Sequence, residues 1–197
     1  VVLNEETQGL TQILSNMLDE GAGELDSTAF QKALLDDSIQ MSFSASRDNF
    51  SGNLKTLSEK KERAFELLAL ALTEPRFDAE PLQRMINANL SRVRGNLTDP
   101  NWIAARITND KAFEGHPYRL NSGGTLSSLP EITVEDLQDF TTDYLTQDRL
   151  IIGVAGDSTQ KELSALIDKT FSKLPKAGVS PEIANIKLQN QGQAFHY

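Results

Sequence analysis

The stretch "QGLTQILSNMLDEGAG", Gln8 to Gly23, decides the fold. Leu10, Ile13, Leu14, Met17 and Leu18 recur at helical spacing and form one apolar stripe. The pattern predicts a helix over 6–20, ended by the turn Gly21-Ala22-Gly23. Gln12, Ser15 and Asn16 fall on the opposite face, which is small, polar and uncharged. A freely solvated helix start such as "SEKKER" (58–63) instead carries Lys, Glu and Arg.

Outward from this helix, Ser27 reads as an N-cap for a second helix running to Asp36. Two alternating runs follow, "IQMSFSAS" and "NFSGNLKTL", with Arg47-Asp48-Asn49 as the hairpin turn between them. Helices are expected from Ser58 to the residue before Pro75, from Asp78 to Gly95-Asn96, and from Asp99 with Pro100 at the first helical position. "EGHPYRLNSGGTLSSLPEI" is a long loop. Thr133 then caps a helix, with Asp136 placed to reach back to it. "RLIIGVAGD" reads as a strand buried on both faces, and "STQKELSALIDKTFSKLP" as the last helix. A spacer from Lys176 leads to "GQAFHY", which has the look of another strand starting. About seven helices and three or four strands, with no βαβ alternation, make an α+β fold with a mostly antiparallel sheet covered by helices. The strand count is thin for a sheet able to cover so many helices.

The 197 residues suffice for a sizeable core, and 39% hydrophobic with 24% charged content is ordinary for a globular chain. A net charge of −9 repels phosphate backbones and anionic lipid, which argues against nucleic acid or a membrane surface as partner. No run of about 18 apolar residues exists, so no segment is expected to span a bilayer. The absence of cysteine removes disulfides, thiolate nucleophiles and Cys-ligated metal sites.

Read residue by residue, nothing carries chemistry. The two histidines, His116 and His196, lie far apart, and a zinc site needs three or four placed ligands. His116, in Gly115-His116-Pro117-Tyr118, reads as a loop histidine bonded to backbone. "SGGT" (122–125) reads as a loop rather than a phosphate nest, for no Gly-Lys-Ser/Thr follows it. "GVAGD" lacks the spacing of a dinucleotide site. Arg92 and Arg94 sit near a helix C-terminus, where the dipole favours positive charge.

Four blocks in order nevertheless resemble one family: "GLTQILSNMLDEGAGELDSTAFQKAL", "ALTEPRFDAEPLQRMINANLSRVRGNLTDP", "FEGHPYRLNSGGTLSSLPEITVEDLQDF" and "RLIIGVAGD". The chain is identified as similar to the insulinase/pitrilysin family of zinc metallopeptidases, which includes mitochondrial processing peptidase. It looks most like a shorter bacterial subunit lacking the zinc motif. Active members carry H-x-x-E-H on the first helix, two His one turn apart to bind zinc and a Glu to polarise water. The resemblance places those His at Gln12 and Asn16 and the Glu at Ser15, while the distal glutamate ligand falls at Arg92, or at Ser91 one residue away. Amides are weak neutral ligands, a serine hydroxyl is no base near neutral pH, and Arg92 repels a cation.

The resemblance therefore implies no catalytic residue, no metal and no cofactor in this chain. It implies a non-catalytic subunit of a heterodimeric peptidase whose zinc-bearing homologous partner holds the metal, the two enclosing peptide substrates that add a strand to a sheet edge. It leaves two alternatives open, a purely structural subunit and a zinc-dependent peptidase in the intact protein. It further implies a processing-peptidase-like domain over 1–175, short of the strands that normally precede the first helix, and a linker with the start of a second homologous domain over 176–197. The bacterial periplasm or cytoplasm is the expected setting.

Overall fold

The computed structural model describes residues 4–183, 185–187 and 192. Among the described residues it has seven α-helices and a two-stranded sheet, an α+β arrangement. The strand expected at "GQAFHY", and His196 within it, lie outside the described residues.

The first helix, α1, is shorter than its apolar pattern, Leu10–Ser15. Gly9 caps it in a left-handed conformation, φ 93°, and so cuts off the preceding turn. Beyond Asn16 the chain tightens, with Met17 N–H bonded to Leu14 O at 2.9 Å, but the stripe carries on. Ile13, Leu14, Met17 and Leu18 are completely buried.

The second helix, α2, spans Ser27–Asp36. Its N-cap is Asp26, which accepts from Ala29 N–H, and not Ser27. The Ser27 hydroxyl donates instead to Glu20 at 2.6 Å. Strands β1 (Gln40–Ala45) and β2 (Phe50–Lys55) pair antiparallel about the predicted turn, Met41 facing Leu54 and Phe43 facing Gly52. Met41, Phe43 and Leu54 turn toward the core, and the alternate residues are exposed.

Helices α3 (Lys61–Thr73), α4 (Ala79–Asn96) and α5 (Pro100–Ala112) follow in the predicted order. Ser58 begins a short 3-10 turn that feeds α3. Asp99 accepts from Asn101 N–H at the start of α5, with Pro100 at its first position. Helix α6 (Val134–Tyr144) has the predicted reciprocal cap between Thr133 and Asp136. Helix α7 (Gln160–Phe171) has the same device in Thr159 and Glu162, whose carboxylate is held below its usual range by the Thr159 backbone N–H and hydroxyl.

Two apolar clusters hold these elements. One joins α1 to α4, α6 and the 129–132 turn through Leu14, Met17, Ile86, Val93, Leu129 and Leu137. The other joins α2, β1 and α3 through Phe30, Leu34, Met41 and Leu67. Phe43 and Leu72 touch both, so the sheet and α3 fasten the halves together. Truncating a fully buried leucine such as Leu14 to alanine costs about 2–5 kcal/mol.

"RLIIGVAGD" is not a buried strand. Residues 150–154 form no ladder among the described residues, and Ile151 is 95% exposed. An apolar run becomes a strand only where another strand meets its backbone and side chains cover both faces. The segment instead borders an apolar cavity of about 1020 Å³ whose other walls include β2, Leu68 and Phe140.

Candidate functional site

The candidate site is the polar side of α1 with what α4 and the 121–128 loop bring to it. Helix α1 lies against β1, α4 and α6. Ser15 is 3% exposed, because it stands at the border of the apolar stripe beside Thr11, which is also buried. Gln12 and Asn16 are half-buried. The Ser15 hydroxyl donates to Gln12 O at 2.9 Å, and the Gln12 amide donates to Ser15 Oγ at 3.3 Å. These groups satisfy one another within a single turn. The Ser15 hydroxyl is thus committed to a backbone carbonyl one turn back, and its partner on the side-chain side is the Gln12 amide, a donor and not a base.

Arg92 is exposed on α4, one turn beyond the buried Asn89. Its guanidinium donates to Asn89 Oδ1 at 2.7 Å and to Gly123 O at 3.1 Å. None of the ion pairs among the described residues includes Arg92. Ser91, the neighbouring candidate, donates to Asn87 O on its own helix.

The loop that Arg92 holds is folded against the start of α1. Asn121 N–H donates to Gln8 Oε1 at 2.7 Å, and the Ser128 hydroxyl donates to Gln8 O at 2.8 Å. Gly124 packs so closely on Gly9 that a Cβ on Gly9 would lie 2.8 Å from Gly124 Cα. Within "SGGT", Gly123 N–H bonds Asn121 Oδ1, Gly124 N–H bonds Asn121 O and Thr125 N–H bonds Ser128 Oγ. Those amides are spent inside the loop and do not converge on a phosphate.

His116 sits in the expected loop and accepts from Tyr118 N–H through Nδ1 at 3.1 Å. Among the described residues no group of three His, Cys, Asp or Glu is placed to hold a metal ion. The side chains that the resemblance sets at the zinc positions are two amides, a hydroxyl bonded to backbone and a guanidinium, none of them a good zinc ligand. Gln8 and Asn89 were not singled out in the sequence. Their roles depend on contacts across 113 residues and on burial, for which a lone Gln or Asn gives no local signal.

Comparison with known proteins supplies what the geometry alone does not. The family described as "Peptidase M16 inactive domain" matches residues 131–195. The "Non-peptidase homolog YmxG" of Helicobacter pylori is 23% identical over 176 residues, 89% of this chain and 39% of that protein. The probable mitochondrial-processing peptidase subunit beta of Arabidopsis thaliana is 24% identical over 174 residues, 87% of this chain and 32% of that protein. The crystal structure of a peptidase M16 inactive domain from Pseudomonas fluorescens superposes with a TM-score of 0.82 at 25% identity, over 87% of this chain and 42% of that one. The chain thus spans 39% and 32% of the length of these two curated relatives. No helix among the described residues is long and apolar enough to cross a membrane. In sequence and in fold the chain is thus similar to peptidase M16 proteins, among them a non-peptidase homologue, a processing-peptidase subunit and an inactive domain.

Proposed function

We propose that this chain is part of a non-catalytic subunit that pairs with a zinc-bearing homologue and helps to enclose peptides for cleavage by that partner. The observation that carries the reading is the state of the α1 face. Gln12 and Ser15 bond each other, and Arg92 is engaged by Asn89 and Gly123. Neither a metal-ligand set nor a poised base stands there, while the helix itself remains firmly seated on its core. The relatives support the pairing: one is a non-peptidase homologue and another a subunit of a processing peptidase. The hairpin has unpaired strand edges among the described residues, which suit an extended peptide held by backbone hydrogen bonds.

The test is reconstitution. The full-length protein, co-expressed with a homologue bearing H-x-x-E-H, is expected to co-purify with it, and the pair to cleave an unstructured peptide faster than the homologue alone. Stable pairing with no gain in cleavage would assign a structural role instead. Cleavage by the full-length protein alone, abolished by a chelator, would assign it the zinc chemistry.

A further inference from the structure

We propose that residues 100–120 form a latched arm, able to swing away from the body as one unit, with Tyr118 as its catch on the β-hairpin. Burial is the first reason. Helices α2, α3, α4 and α6 each bury at least two residues, whereas α5 buries none. Trp102, Ile103, Ile107 and Phe113 are only half-buried, and none of them packs against either apolar cluster. The extensive packing partner of α5 is the turn Pro117–Arg119, which lies in the same segment. An element with few buried apolar contacts opens at a small fraction of the global stability.

The segment is also stapled to itself. Phe113 meets the Tyr118 ring edge-on with centroids 5.4 Å apart, and His116 meets it at 4.6 Å. Arg106 donates to both Asp110 and Arg119 O. The helix and the turn would therefore move together. Tyr118 and Arg119, adjacent in sequence, fasten the segment to described residues of the body through polar contacts. The Tyr118 hydroxyl donates to Asp48 Oδ1 at 2.6 Å, and Arg47 lies over the Tyr118 ring at 5.4 Å. Arg119 pairs with Glu5 at 2.7 Å. Solvent-exposed contacts of this kind are weak, enough to bias a hinge and too little to lock it. The joints are short: residues 97–99 between α4 and α5, with Leu97 43% exposed, and Leu120 before the Asn121 anchor.

The experiment is hydrogen exchange on the intact protein, read peptide by peptide, for the wild type, Tyr118→Phe and Tyr118→Phe/Arg119→Ala. In the wild type, α5 amides are expected to exchange at least a hundredfold faster than those of α4 and at one common rate through 104–119. Tyr118→Phe is expected to speed that exchange several-fold and the double variant at least tenfold, with α1 and α4 unchanged. Trypsin cleavage at Lys111 should accelerate in parallel. Exchange of α5 at the rate of α4 in the wild type would overturn the arm, a result that needs no variant to fold. Variant effects spreading equally through α1 and α4 would overturn the catch.

Discussion

Arg92 and Gly123 are joined by a hydrogen bond of 3.1 Å that ties the second-last turn of α4 to the loop folded over Gly9. The same guanidinium holds the side-chain oxygen of buried Asn89 at 2.7 Å. At the position where active relatives are expected to have a metal ligand, this chain has a tether. Arg92→Leu removes both bonds and is expected to lower unfolding stability by about 1 kcal/mol, since water can reach part of what is uncovered. Hydrogen exchange in 121–128 should rise more than elsewhere. Unchanged protection of that loop would mean that Gln8 holds it unaided.

Zinc binding separates the tether from the ligands. Gln12→His, Ser15→Glu and Asn16→His together supply the motif but leave Arg92 in place. A like charge about 4 Å from a cation costs on the order of 4 kcal/mol per unit charge at an effective dielectric near 20, and somewhat less at an exposed site. The triple variant is expected to bind zinc weakly, and addition of Arg92→Glu to strengthen binding by at least tenfold, read by competition with a chromophoric chelator. Equal affinities would show that Arg92 lies off the metal position. The unaltered chain is expected to retain well under one zinc after dialysis.

Gly124 offers a sharper test of the loop's packing. Its φ is +85°, and a Cβ there would lie 2.6 Å from both Cγ and Cδ2 of Leu129. Leu129 is fully buried and has nowhere to retreat. Gly124→Ala combines a strained left-handed backbone with overpacking, each of order 1–3 kcal/mol. A loss of about 2 kcal/mol or more is expected by denaturant unfolding, whereas Gly115→Ala, with open space around it despite φ +81°, should cost less.

What the sequence disclosed and what it withheld divide along the range of the interactions. Thr133 and Asp136 are three residues apart, so their cap could be read directly, as could Pro100 at the start of α5. Thr159 and Glu162 repeat that pattern, one residue beyond Ser158, where the run read as a helix begins. Asp26 and Ser27 are both good caps; Asp26 takes the role, and the Ser27 hydroxyl donates to Glu20. The run 150–154 is apolar yet unpaired among the described residues, because composition reports apolar character whereas strandedness requires a neighbour. The α1 stripe was legible in full, but the length of the helix was not. Gly9 adopts φ 93° because the 121–128 loop presses against it, a contact made over more than a hundred residues.

The cap of α7 predicts a pH dependence. Glu162 is held below its ordinary value of 4.5 by the Thr159 N–H and hydroxyl, with a smaller contribution from the Lys61 charge. A carboxylate depressed in the folded state contributes stability that is present above its unfolded pKa and lost as pH falls through the folded one. Hydrogen-exchange protection at the α7 N-terminus is therefore expected to hold at neutral pH and to weaken as the pH falls below the ordinary glutamate range. Glu162→Gln should flatten that profile. A variant whose first turn still loosens with acid would locate the titrating group elsewhere.

The face of α1 itself supplies the last test. Asn16 is half-buried, caps the helix through its backbone N–H to Ile13 O and Leu14 O, and makes no side-chain hydrogen bond among those found for the described residues. Its neighbours Gln12 and Ser15 are already matched to each other. An amide with no exact partner sits poorly in a dry contact and well beside water, as the wall of a peptide chamber requires. Asn16→Ala should therefore leave folding, pairing with a zinc-bearing homologue and turnover of the pair within about twofold of the original, since surface substitutions away from packing or buried networks stay within roughly 0.5 kcal/mol. Turnover is measured on the purified pair at saturating peptide, and assembly by size-exclusion chromatography. A tenfold loss of turnover with assembly intact would place Asn16 in contact with the reacting peptide. A loss of assembly would make the face a subunit interface.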